Sequence, residues 1–198
     1  DSAEQHLWKN VTVVPHAPSL SVVVSSMGHG RSHVSLEHLA CFSGGMMALG
    51  SRIVPDRRHY LNIARMTTET CYWGYNSSLT GLGAEALEFY HPQDKDMYRV
   101  VTEADGTRHR GPPVGDPFVG VRYIWHEDYR NRPEVIESVL YMWRTTGDPV
   151  WQERGWQMFA SWMTHCLTRS GASTIYDVNA VPVRHSDSME SFVLAETF

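Results

Sequence analysis

Apolar positions along this chain recur mostly at helical spacing, and the breaks between them fall at glycine, proline and polar clusters. From Leu36 onward, Leu36, Leu39, Phe42, Met46 and Leu49 recur at near-helical intervals and predict a first helix. The pair Gly44-Gly45 lies inside it, which predicts close packing or a local break, because glycine weakens a helix interior. Residues 56–74 predict a second helix through Tyr60, Leu61, Ala64 and Met66, and Thr80–Tyr90 a short, helix-compatible segment. Pro133 is suited to a helix start, since its missing N–H is one of the unpaired donors there. Val135, Ile136, Val139, Leu140 and Trp143 line one face after it, and Gly147 ends the helix. Asp148-Pro149 opens the next helix, with Trp156, Phe159, Ala160, Met163 and Leu167 on one side. A last helix is expected from about Ser188.

Between these stretches the pattern changes. Residues 1–35 carry two β-branched runs, Val11–Val14 and Leu20–Val24, that read as short strands or extended loops. Residues 91–121 are polar and rich in Gly and Pro, and Asp105-Gly106 after Met97–Val101 predicts a hairpin. Residues 170–187 hold a β-branched stretch interrupted by Pro182. Paired helices joined by long, hairpin-bearing loops predict an all-α architecture of αα-hairpins, stacked or closed into a ring.

Composition narrows the function. Of 198 residues, 42% are hydrophobic and 20% charged, which excludes a disordered chain, and no apolar run approaches the ~20 residues of a membrane span. The formal charge of −5 argues against a nucleic-acid partner. Three cysteines, Cys41, Cys71 and Cys166, lack zinc spacing and are compatible with reduced, buried thiols. Two triplets, Asn10-Val11-Thr12 and Asn76-Ser77-Ser78, match glycosylation acceptors of secretory proteins. No hydrolase elbow or nucleotide-binding glycine loop is present.

Two local constellations carry chemistry. Arg132-Pro133-Glu134 places a carboxylate in a first helical turn with Glu137 three residues on, and Met189-Glu190-Ser191-Phe192 is followed by Glu196. Local residues favour the plainer reading of each: helix-start stabilisation with a surface ion pair for the first, and an ordinary partly exposed helix for the second. Likewise, His38 within an apolar pattern reads as a hydrogen-bonded core histidine.

Taken together, His38-Leu39-Ala40-Cys41-Phe42, Thr80-Gly81-Leu82-Gly83-Ala84-Glu85, Arg132-Pro133-Glu134-Val135-Ile136-Glu137-Ser138 and Asp187-Ser188-Met189-Glu190-Ser191-Phe192, running to Ala195-Glu196-Thr197, resemble in order and spacing the class I α-1,2-mannosidases of glycoside hydrolase family 47. Trp143–Asp148 also resembles that family's helix-to-helix turn. The resemblance covers residues 36–198 and implies the C-terminal part of an (α/α)7 barrel, about three helix pairs, with 1–198 as a partial catalytic domain.

It further implies calcium-dependent, inverting removal of terminal α-1,2-linked mannose from high-mannose N-glycans, by a protein that is monomeric when complete. Glu134 matches the general base. Arg132 and Pro133 match residues at the bottom of the sugar pocket, Glu137, Phe192 and Glu196 match further pocket residues, and His38 matches one at the sugar subsite. Ca²⁺ is expected on a Thr beyond Phe198, with Glu134 and Glu196 bonding its waters. Cys41 and Cys71 match a disulfide of the processing enzymes, which implies a secretory lumen or secretion, and Cys166 a helical core thiol. Glu85 resembles the acid of a Gly-Leu-x-Pro-Glu motif with Ala84 in place of Pro. Asn131 replaces the apolar residue usual before Arg132. The alternative is a lectin-like, degradation-directing relative that binds glycans without processing them.

Overall fold

The computed structural model describes residues 5–11, 20–23, 25–26, 32–89, 100–102, 106, 108–110 and 121–197. Four α-helices dominate it: α1 (Phe42–Ile53), α2 (Tyr60–Asn76), α3 (Glu134–Thr146) and α4 (Val150–His165). A 3₁₀ turn, His38–Cys41, leads into α1.

Like helices run parallel and side by side. Gly45 N–H donates to Ser138 Oγ at 2.8 Å, and Arg52 reaches the Thr145 carbonyl, the same separation in sequence one helical span later. That pairs α1 with α3. On the other side, Arg65 faces Asp148 at 3.7 Å, Arg154 faces Glu69 at 2.6 Å and Tyr72 bonds Gln157, which pairs α2 with α4. Two αα-hairpins stand next to each other in this way, the repeat from which αα rings are built.

The α1–α3 contact is close because its residues are small. A methyl group on Gly45 would stand 2.9 Å from a ring carbon of Tyr141, so only glycine fits there without displacement. Ser138, fully buried, donates to the Cys41 carbonyl at 2.6 Å while accepting from Gly45, so its hydroxyl is satisfied on both sides. The Cys41–Cys71 disulfide, with Cα atoms 6.0 Å apart, ties the entrance of α1 to α2.

Several expectations from the pattern are corrected. Leu36 lies in a strand, not a helix, and the helical pattern starts effectively at Phe42. The stripe Leu39, Phe42, Met46 and Leu49 is exposed, and α1 buries Gly44, Gly45, Ala48 and Ser51 instead. On α4, Trp156, Phe159 and Met163 are exposed, as is Leu167 beyond its end, whereas Trp151, Met158 and Trp162 are buried. The segment expected to be helix-compatible at 80–90 holds strand Ala86–Phe89, and the last helix is reduced to a π turn, Val193–Thr197. Two helix pairs, not three, are therefore present among the described residues.

Within the run Leu20–Val24, residues Leu20–Val23 form a strand (β2) that pairs with Trp8–Val11 (β1), which meets the other expected run, Val11–Val14, only at Val11. Short β3 (Ser25–Ser26) pairs with β4 (Ser32–His33), and residues 12–14 and 24 lie outside the described residues. Val100–Thr102 (β7) and Arg108–Arg110 (β8) form the antiparallel hairpin predicted around Gly106, whose φ is +86°. Gly147, at φ +71°, ends α3 in the left-handed conformation and donates its N–H to Trp143. Asp148 Oδ1 accepts the Val150 N–H at 3.1 Å, as the Asp-Pro helix start predicts.

A three-stranded antiparallel sheet matters most for function. Its order is β5 (Ser35–Glu37), β6 (Ala86–Phe89), β9 (Val121–His126), with Glu37 opposite Ala86 and Ala86 opposite His126. The end of β5, the start of β6 and the end of β9 thus meet at one edge of the sheet.

Candidate active site

That edge collects the motifs. His38 follows β5, Glu85 precedes β6, and residues 127–134 follow β9. Backbone bonds fix the junction: His38 N–H donates to Glu85 C=O at 3.2 Å, and Glu85 N–H to Asp128 C=O at 2.9 Å. The chain then turns at Asn131, whose φ of +61° is one that Asn tolerates better than most residues, and enters α3 through Pro133. The Pro133 carbonyl accepts the Glu137 N–H at 2.9 Å, so Pro133 forms the helix entrance as predicted.

Glu134 opens α3 and is buried, at 9% exposure. Its Oε2 lies 3.7 Å from Nδ1 of the equally buried His38. Burial by itself pushes the Glu134 carboxyl up, but the nearby His38 imidazole, a backbone hydrogen bond and the Arg132 charge outweigh it. The net direction is down, so Glu134 is ionised at neutral pH. The helix N-terminus favours the same form.

Arg132 is held on two sides. It pairs with Glu85, and its guanidinium stands 5.4 Å from the centroid of the Phe192 ring. Three separate sequence motifs are joined by this one side chain. A further bond closes the arrangement: Thr197 Oγ1 donates to the Asn131 carbonyl at 3.0 Å, which ties the turn carrying Glu196 to the corner before Glu134. The Asn131 side chain, fully buried, accepts the Trp162 indole N–H at 2.7 Å. The departure from an apolar residue at 131 is therefore matched by a polar partner on α4.

Glu137 and Glu196 line a different hollow, of about 640 Å³, between α3 and α4. Burial, then the charges of Glu134 and Glu196, push the Glu137 carboxyl above its ordinary value of 4.5. The folded state thus prefers Glu137 neutral, and its charge destabilises the fold once pH rises above the folded pKa. Below the unfolded value both states are protonated and the cost vanishes. Glu137→Gln is expected to raise the melting temperature at pH 7, with the difference disappearing below about pH 4. Melting curves of the two proteins across that range test the sign. Glu134 has the opposite sign: its contribution is present above its unfolded value and is lost as pH falls through the depressed one.

Two site-supporting residues carry no sequence signal. Tyr75 Oη lies 3.0 Å from His38 Nε2, and Tyr129 packs edge-on against Tyr75 at 5.8 Å. Both phenols are buried and pushed up, mainly by burial, so each stays a neutral hydroxyl that can position the imidazole. Gly83 faces Tyr75 so closely that a Cβ there would stand 2.5 Å from the ring. Cys166 is a buried free thiol, pushed up to about 12 by burial, as expected of a core cysteine. Asn76 is exposed at the end of α2.

Among the described residues, no three His, Cys, Asp or Glu side chains converge to ligate a metal ion directly. No helix among them is long and apolar enough to cross a membrane.

Known proteins match this arrangement. Residues 1–198 match glycosyl hydrolase family 47 throughout. The chain is 36% identical over 162 residues to human mannosyl-oligosaccharide 1,2-alpha-mannosidase IC, covering 81% of this chain and 22% of that protein. It is 32% identical over 196 residues to a probable mannosyl-oligosaccharide alpha-1,2-mannosidase 1B of Aspergillus niger, covering 98% of this chain and 34% of the relative. The fold superimposes on an alpha-1,2-mannosidase from Trichoderma reesei with a TM-score of 0.79 at 27% identity, covering 100% of this chain and 38% of that one. The chain thus spans well under half the length of these relatives. With its motifs gathered at one sheet edge and the family matched from end to end, the chain belongs to glycosyl hydrolase family 47.

Proposed function

We propose that this chain is the base-bearing part of an inverting α-1,2-mannosidase that trims terminal mannose from high-mannose N-glycans. The observation that carries the reading is Glu134: a carboxylate buried at a helix start, kept ionised by His38 and Arg132, with Oε2 free of hydrogen-bond partners among the described residues. An ionised carboxylate so placed can take a proton from a water attacking the sugar.

Inversion also requires a carboxylic acid about 6.5–9.5 Å from the base, leaving room for that water. We assign that acid to the sequence that the relatives carry outside the matched span. In the complete domain, the two helix pairs belong to an (α/α)7 barrel. Arg132, held by Glu85 and Phe192, presents donors for sugar hydroxyls in a fixed orientation. Pro133 sets the approach to Glu134, and His38 lies against the same carboxylate.

The donors fit calcium as an outer shell. Direct ligation by three side chains is absent among the described residues, and the negative charges of Glu134 and Glu196 both reach Glu137, whose carboxyl is raised chiefly by burial. Glu134 and Glu196 would hold the ion through water. When bound, Ca²⁺ would polarise a water and hold sugar hydroxyls. The Thr197 hydroxyl donates to the Asn131 carbonyl, which holds the turn carrying Glu196 beside the corner before Glu134.

The Cys41–Cys71 disulfide supports a secretory lumen or secretion as the compartment, since such bonds persist in oxidising environments. It also favours the processing enzyme over a lectin-like relative, which the resemblance expects to lack the pair. Hydrolysis of α-1,2-mannobiose by the complete catalytic domain, with loss on chelation and recovery with Ca²⁺, tests the proposal. A domain that binds mannose without releasing it would overturn it.

A further inference from the structure

Two hollows on the described surface share a wall. The smaller, about 320 Å³, opens beside His38 and Glu85. The larger, about 570 Å³, lies between the end of β9 and the loops of residues 174–190. Trp125, His126 and Arg130 line both, so the two adjoin along the end of β9, and the larger is a groove beside the candidate site. Both volumes fall in the range of small-ligand sites, ~300–1,000 Å³.

The groove is built rather than incidental. Its floor is stitched by backbone bonds between the segment after β9 and the 174–188 loops: Tyr129 and Ile175 exchange both their N–H···O=C bonds at 3.0 and 3.1 Å, and Val178 N–H donates to Glu127 C=O at 2.9 Å. Trp125 is 51% exposed, yet its plane is set by an indole N–H bond to Glu88 Oε2 at 3.1 Å. The other oxygen of Glu88 takes Arg122 at 3.3 Å, which holds the carboxylate in place. Exposed Tyr176 stands on the far wall, where the Arg184 guanidinium lies 4.2 Å from its ring centroid. Asp128, anchored by Arg130 at 2.6 Å, and Glu190 supply acceptors.

This chemistry selects a neutral, hydroxyl-rich ligand. A pyranose has a C–H face that packs on an aromatic ring and a rim of hydroxyls that donate to carboxylates. The acids disfavour anionic ligands. We infer that the groove is an outer saccharide site, in which Trp125 stacks on a sugar residue removed from the one held beside Glu134. The identity of that sugar as mannose rests on the mannosidase reading. Substrates carrying a long glycan arm gain from the site, and a disaccharide does not reach it.

Trp125→Ala in the complete catalytic domain tests this with two substrates, a high-mannose oligosaccharide and α-1,2-mannobiose. The ratio of their kcat/KM values is expected to fall about five- to tenfold against the oligosaccharide, through KM. Trp125→Phe, which keeps a ring but loses the Glu88 tether, should lie between and guards against a variant that fails to fold. An unchanged ratio in both variants overturns the inference. If the unsubstituted domain hydrolyses neither substrate, the mannosidase reading fails by itself. The groove is then judged by oligosaccharide quenching of the tryptophan fluorescence missing in Trp125→Phe, and equal quenching in both proteins overturns it.

Discussion

Replacing Glu134 by Gln in the complete catalytic domain is expected to lower kcat on α-1,2-mannobiose by about 10²–10⁴-fold, the range for a positioned general base. KM and the melting temperature should stay close to those of the unsubstituted protein. Gln keeps the volume of Glu and an amide oxygen to face His38 Nδ1, now 3.7 Å from Oε2. It cannot accept a proton from water. What the fold loses is a negative charge at the start of α3, a surface-to-partly-buried effect of about 0.3–1 kcal/mol. Steady-state rates together with thermal unfolding separate the two consequences. Activity within tenfold of the original would remove Glu134 from the role of base.

The second large effect concerns stability. Substituting both Cys41 and Cys71 by Ala is expected to cost about 2–4 kcal/mol, read as a lower midpoint in denaturant unfolding. The bond closes a loop of sequence separation 30, so its removal releases the unfolded chain more than it disturbs the folded one. Both sulfurs are in the core, with the cysteines 1% and 2% exposed, and Ala avoids adding a buried hydroxyl. The loss should reach the site as well. Cys41 ends the 3₁₀ turn that begins at His38, and its carbonyl accepts the Ser138 hydroxyl. A stability loss below about 0.5 kcal/mol would show that the αα packing alone fixes this junction.

Much of the local structure was legible from residue types. Pro133 at the start of α3, Gly147 at its end and Asp148 at the start of α4 act through backbone geometry, which is a property of the residue and its immediate neighbours. The Gly44-Gly45 pair announced close packing, and Ser138 and Tyr141 supply it. The helix faces were misread for one reason. Apolar periodicity shows that a face suits apolar surroundings, but not which face meets the neighbouring helices of this chain. In α1 the small face is buried against α2 and α3, and the large apolar face is exposed.

Strand Ala86–Phe89 was equally hard to foresee. Four residues cannot distinguish a strand from a helical turn by period, and pairing with β5 and β9 decides it. The final segment follows the same logic: Ser188–Thr197 has helix-compatible residues, but bonds from Thr174 N–H to Ser188 C=O and from Thr197 to Asn131 hold it in a different path.

The sequence by itself determined which side chains are candidates for the chemistry, because motif order and spacing are written along the chain: His38, Glu85, Arg132, Glu134, Phe192 and Glu196 could all be named before any fold was known. Tertiary structure decided which of them act together. Sheet order β5–β6–β9 brings His38, Glu85 and Glu134 to one edge, while Glu137 and Glu196 line a second hollow between α3 and α4. It also supplied Tyr75 and Tyr129 behind His38 and the Asn131–Trp162 bond, contacts between residues far apart in sequence. The physical reason is that local spacing governs dihedral preference and face, whereas burial, charge coupling and hydrogen-bond partnership arise only when separate elements pack.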